Sequence, residues 1–143
     1  MYTQNIKLTT DSLIFSKGDE HLQILLIQRG FDPFKGMWAF PGGFVEDKED
    51  LEESALRELQ EETGLKLAGM TQLHTFATPD RDPRGRTASV VYYAVINAKD
   101  HPVKGGDDAA AAKWINVKDI TALAFDHLDI LRFALQELQS ELV

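Results

Sequence analysis

Apolar and polar positions divide the chain into a short series of elements. The runs "SLIF" (12–15) and "LQILLIQR" (22–29) flank the polar "SKGDE", which predicts a hairpin. The next stretch, "RGFDPFKGMWAFPGGF", is rich in glycine, proline and aromatic residues and predicts a structured loop. From about Glu49 to Thr63 the pattern turns helical, and Gly64 stops it. "LHTFAT" and "TASVVYYAVIN" predict strands on either side of the charged turn "PDRDPRGR". "GGDDAAAAKWINV" reads as a loop entering another strand, although its alanine run suits a helix equally well. Beyond it, Leu128, Leu131, Leu135 and Leu138 recur at helical spacing, so an amphipathic helix is expected from Asp126 to about Leu138. Strands, helix, strands, helix is the order of an α/β fold with a mixed sheet and helices on its faces.

With 143 residues, 43% of them hydrophobic, and no repeat or linker, the chain predicts a single domain over 1–143. It has no cysteine, which excludes a disulfide frame and a thiolate zinc site. His21, His74 and His101 show no zinc spacing either. The N-terminus lacks the apolar centre of a signal peptide. The longest wholly apolar run, Val90 to Ile96, is too short for a bilayer. A soluble, cytoplasmic protein without membrane partners is the expectation. The net charge of −8 changes the picture more, because it is unevenly placed. Between Gly43 and Leu65 stand nine carboxylates against Lys48 and Arg57, and the remainder is nearly neutral. Such a balance argues against a nucleic-acid partner, which needs surplus Lys and Arg at its surface.

On the predicted helix Glu61, Glu62 and Ser54 lie within about 60° of Glu58, while Ala55, Leu56 and Leu59 share another face. Carboxylates at this spacing repel by roughly 0.2–0.5 kcal/mol per pair. Glu61 and Glu62 also occupy the last turn, where the helix dipole disfavours anions. A hard divalent cation, Mg²⁺ first and Mn²⁺ second, would turn that repulsion into coordination by oxygen ligands. Arg57, four residues before Glu61, can brace it. Most glutamate-rich helix faces are merely solvated, so the spacing must decide.

That spacing resembles the Nudix hydrolase signature, G-x5-E-x7-R-E-U-x-E-E-x-G-U with U apolar. Gly43, Glu49, Arg57, Glu58, Leu59, Glu61, Glu62, Gly64 and Leu65 fill every specified position, and "WAFPGGF" is similar to the usual lead-in. The resemblance implies an α/β/α sandwich around a mixed sheet and hydrolysis of a nucleoside diphosphate linked to a further group. It implies Glu58 and Glu62 as the main Mg²⁺ ligands, Glu61 as a direct or water-mediated one, and a carbonyl of Gly42 or Gly43. Arg57 and Glu49 would hold the loop against the helix. The general base stays open between Glu61 and the pair Asp107 and Asp108, of which Asp108 is a candidate further ligand.

"PFKGMWAFPGGF", "DRDPRGRTASVVYYA" and "AFDHLDIL" are similar to the bacterial ADP-ribose pyrophosphatase branch and to related regulators of NAD metabolism. The branch implies ADP-ribose as substrate and allows a homodimer. Three of the six arginines, Arg81, Arg84 and Arg86, cluster in "PDRDPRGR", where guanidinium forks suit phosphate oxygens. Phe34, Trp38 and Phe40 offer rings for adenine, and His127 stands near the expected pocket. Two other functions compete: a nucleoside triphosphate pyrophosphohydrolase that cleans the nucleotide pool, and an ADP-ribose sensor. Sensors of this kind carry an added DNA-binding region, which this sequence does not show, and often have a broken signature.

Overall fold

The computed structural model describes all residues except 1, 2, 19, 107 and 108. Strands β1 (Lys7–Lys17) and β2 (Leu22–Arg29) form the expected hairpin, paired antiparallel through Phe15 and Ile24. β1 starts well before "SLIF", in a polar stretch. Thr9, Thr10, Asp11 and Ser12 are nevertheless buried. Two short strands lie in the glycine-rich loop: β3 (Trp38–Ala39) pairs with β2, and β4 (Gly42–Phe44) pairs with β1. Helix α1 (Leu51–Thr63) follows, then β5 (Thr71–Phe76) and β6 (Thr87–Ile96). β6 runs parallel to β1 from Lys7–Thr87 to Ser16–Ile96, and β5 covers its other edge antiparallel. The chain ends in β7 (Ala109–Asn116), α2 (His127–Glu137) and α3 (Gln139–Leu142).

The alanine run is strand, not loop or helix. Ala109, Ala111 and Ala112 pair with Arg29, Gln28 and Ile27 of β2. A free sheet edge supplies ladder partners that override the helical preference of alanine. The helices begin slightly later than their patterns suggest. Asp50 caps α1, bonding the Leu51 N–H and forming a capping box with Glu53. Gly64, at φ 77°, takes the left-handed position that ends it.

Alternation along the central strands builds two cores. Leu13, Phe15, Ile24, Leu26 and Val91 face one side and pack with Ile130, Leu131 and Ala134 of α2. Ile14, Leu25 and Ile27 face the other side, with Leu59 of α1 and Ala112. Both faces are covered, which is why the centre of β2, Ile24 to Ile27, is apolar throughout rather than alternating. The result is the anticipated α/β/α sandwich. Among the described residues no helix is long and apolar enough to cross a membrane.

Candidate active site

The acidic face of α1 is graded by depth. Glu62 lies beside the apolar stripe and is buried, Glu58 is mostly buried, and Glu61 is exposed. β4 brings the backbone of Gly42 and Gly43 against them. The Gly42 N–H donates to Glu62 Oε1 at 2.7 Å. A Cβ on Gly43 would stand 2.5 Å from Glu58 Oε1, and one on Gly42 would strike the Thr10 carbonyl. Side chains at 42 and 43 would therefore fill the space in which strand and carboxylates meet.

Arg57 holds this loop to the helix. Its Nε and one terminal nitrogen grip Glu49 at 2.5 and 2.9 Å, and its other terminal nitrogen donates to Glu58 and Glu61, both at 3.1 Å. The bidentate bond pushes the Glu49 carboxyl down to about 2 and raises the affinity of Arg57 for its proton. Glu58 and Glu62 behave oppositely. Burial pushes Glu58 up to about 7 against the pull of Arg57. Burial pushes Glu62 up to about 8, helped by Glu58 and Asp11 and opposed by the Gly42 N–H.

These carboxylates line a cavity of about 360 Å³ together with Thr9, Asp11, Arg29, Arg81, Arg84, Phe44, Phe125 and His127. Asp11 is buried on β1 and accepts a 2.5 Å bond from the Ser89 hydroxyl. Burial raises its carboxyl to about 6. His127 opens α2, stacks on Phe40 at 4.4 Å and accepts the Phe40 N–H on Nδ1. Burial pushes it down to about 3, so the ring is neutral with its proton on Nε2, 3.8 Å from Asp11. The same helix start is tied to the hairpin tip, since Arg81 grips Asp126 through two nitrogens at 2.9 and 2.8 Å.

The residues expected from sequence are thus distributed unevenly. Glu58, Glu62, Arg57, Gly42, Gly43, Arg81 and Arg84 all line the cavity. Glu49 and Glu61 reach it through Arg57. Arg81 faces it with its guanidinium already committed to Asp126. Arg86 is not brought to the lining; it is exposed and donates to the Ala77 carbonyl. Phe34 and Trp38 are not brought there either. Phe34 packs edge-on against Phe125, and Trp38 packs against the α2-side core. Asp107 and Asp108 lie outside the described residues. Asp11, Arg29 and Phe125 were missed; nothing in their local sequence sets them apart, and only the tertiary fold brings them together.

The donor set fits a hard cation. It is all oxygen, partly buried, and raised in proton affinity by that burial. Among the described residues no three acidic or imidazole groups already converge as a metal cage. Glu58 and Glu61 share the Arg57 nitrogen instead, so coordination requires them to turn from it.

The NUDIX domain profile matches residues 7–134. The chain is 44% identical over 110 residues to the ADP-ribose pyrophosphatase of Methanocaldococcus jannaschii, covering 77% of this chain and 64% of that protein. It is 38% identical over 138 residues to the ADPR responsive transcriptional repressor NtrR of Acinetobacter baylyi, covering 94% and 55%. It therefore spans less than two thirds of the length of either curated relative. The NUDIX domain of Shewanella oneidensis NrtR, solved complexed with ADP ribose, matches with a TM-score of 0.88 and 33% identity over 95% of this chain and 90% of that one.

Proposed function

Because the chain belongs to the Nudix family, we propose that it hydrolyses the pyrophosphate bond of a nucleoside diphosphate derivative with the help of a divalent cation, and that ADP-ribose is the substrate. The products are AMP and ribose 5-phosphate, with one water consumed. The observation that carries this reading is the placement of Glu58 and Glu62, half-buried and buried, against the Gly42–Gly43 backbone inside a cavity large enough for a nucleotide.

Glu58 and Glu62 would hold the cation, with Glu61 and a carbonyl of Gly42 or Gly43 beside them. Mg²⁺ bound there would neutralise diphosphate charge and lower the pKa of a water. The chain's own part is positioning. Arg57 and Glu49 fix the loop on the helix, so the glutamates keep their register with β4. Gly42 and Gly43 keep the approach open. His127, neutral and pinned by Phe40, forms part of the wall without carrying charge. The likeness to M. jannaschii ADP-ribose pyrophosphatase and to an ADP-ribose-bound NUDIX domain supports the substrate.

A second reading has its own support: the repressor from A. baylyi matches 94% of this chain, which fits an ADP-ribose sensor. One panel separates them. ADP-ribose, NADH and (d)NTPs are incubated with Mg²⁺, Mn²⁺ or a chelator, and products are identified by chromatography. AMP and ribose 5-phosphate from ADP-ribose, lost with chelator, is the expected result. Cleavage of triphosphates alone makes it a nucleotide-pool enzyme. Tight ADP-ribose binding without cleavage under any cation makes it a sensor.

A further inference from the structure

Arg29 closes β2 and lines the cavity. Its Nε donates to the Pro33 carbonyl at 2.6 Å, and among the described residues its two terminal nitrogens have no acceptor. The guanidinium carbon stands 4.9 Å from the centre of the Phe125 ring. Arg84 reaches the same ring from the hairpin tip, at 5.3 Å, with Phe44 4.8 Å from it. Asp82 takes the Arg84 Nε and one terminal nitrogen at 3.1 and 2.8 Å. Its remaining nitrogen has no acceptor among the described residues. Two guanidiniums therefore share one aromatic ring, and of the two only Arg84 has a carboxylate partner among the described residues.

Glu62, Asp82 and Asp11 act on Arg29 from nearby, yet none of them takes its terminal nitrogens, which stay with Arg84 beside the Phe125 ring. Burial and then the charge of Arg84, opposed in part by Glu62, Asp82 and Asp11, weaken the hold of Arg29 on its proton. The ring between them is also held at a cost. Phe125 has φ 53° and Phe34, edge-on to it at 4.7 Å, has φ 63°. Bulky L-residues rarely adopt such angles, and backbone of this kind concentrates where a ligand is handled.

We propose that Phe125 is a positioning residue that aligns Arg29 and Arg84 as a paired anion subsite for the diphosphate of the substrate. The proposal rests on the hydrolase reading. A diphosphate carries more oxygens than carboxylate-bound cations engage, and a guanidinium fork matches two of them at once. The π-face of Phe125 holds Arg29 beside the cavity without a carboxylate that would compete with the substrate, whereas Arg84, gripped by Asp82, keeps one terminal nitrogen for it.

The test compares Arg29→Gln, Arg29→Lys, Phe125→Leu and Phe125→Tyr with the wild-type chain, each first checked by thermal melting. Binding of ADP-ribose and of inorganic pyrophosphate is measured by calorimetry with chelator, where no turnover occurs. KM and kcat are measured with Mg²⁺. Arg29→Gln should weaken binding of both ligands and raise KM by about tenfold or more, with kcat changed less than about threefold. Arg29→Lys should recover part of the loss. Phe125→Leu should show a smaller rise in KM that Phe125→Tyr, which restores the ring, reverses. A KM and pyrophosphate affinity for Arg29→Gln within about twofold of wild type overturns the subsite. So does a Phe125→Leu chain that melts lower but binds as well as wild type. Wild-type protein that binds neither ligand overturns it too. Pyrophosphate binding lost in Arg29→Gln, with no hydrolysis of ADP-ribose by any chain, upholds the subsite and removes the assigned reaction.

Discussion

The cavity has two unlike walls. The carboxylate wall comes from one continuous segment, β4 through α1, and its parts are fixed by neighbours: Arg57 with Glu49, Glu58 and Glu61, and Glu62 with Gly42. The arginine wall is assembled from three distant places: the end of β2, the hairpin tip, and the start of α2. The first is suited to chemistry that is common to a family, because local spacing preserves it. The second draws Arg84 from a hairpin loop, and loops on a rigid scaffold are where binding preferences are commonly set.

The largest break between the walls should come from Glu62→Gln. The side chain keeps its shape and its place beside the Gly42 N–H, so the melting temperature should hold. Turnover should fall by roughly 10²–10³-fold, the scale of losing a group that stabilises transition-state charge. Near wild-type turnover with unchanged Mg²⁺ dependence would remove Glu62 from the ligand set. On the other wall, Arg84→Ala should raise KM for ADP-ribose by about tenfold and for a triphosphate by less, with kcat little changed. Arg86→Ala, outside the lining, is the matched control and should stay within about twofold. Equal effects of Arg84→Ala on both substrates would show that this wall does not select.

The smallest effect concerns the brace of the carboxylate wall. The Glu49 carboxyl is depressed to about 2 from an ordinary 4.5, so its bond to Arg57 adds stability that is complete above about pH 4.5. That contribution is lost as the pH falls towards 2. Thermal melting from pH 6 to 2 should therefore show a steeper acid decline for the wild-type chain than for Glu49→Gln, which starts lower. Parallel curves would mean that the bond adds nothing to folding.

How much of this could be read beforehand follows the same division. Gly43, Glu49, Arg57, Glu58, Glu61 and Glu62 were legible because a loop and one helix place them by count alone. Arg29 and Phe125 were not, since what joins them is a sheet crossing and a loop return, and sequence distance conceals both. The polar start of β1 misled in another way. Thr9 to Ser12 lack apolar character, yet they are buried: Thr9 bonds the Ala88 carbonyl, Thr10 meets Ser54 and Asp11 accepts from Ser89, while the Ser12 hydroxyl has no partner among the described residues. The alanines of β7 took the state of their partner strand rather than their own preference.

The parallel ladder between β1 and β6 has a kinetic consequence. Its first partners, Lys7 and Thr87, lie eighty positions apart, and a parallel pair cannot be joined by a tight turn. The middle of the sheet therefore closes only after a long loop has been brought back on itself, which slows a search far more than it weakens the product. Until then the glutamate helix has only β1 and β4 to lean on. During synthesis, the nascent chain must hold that half-built platform open until β6, Thr87–Ile96, emerges.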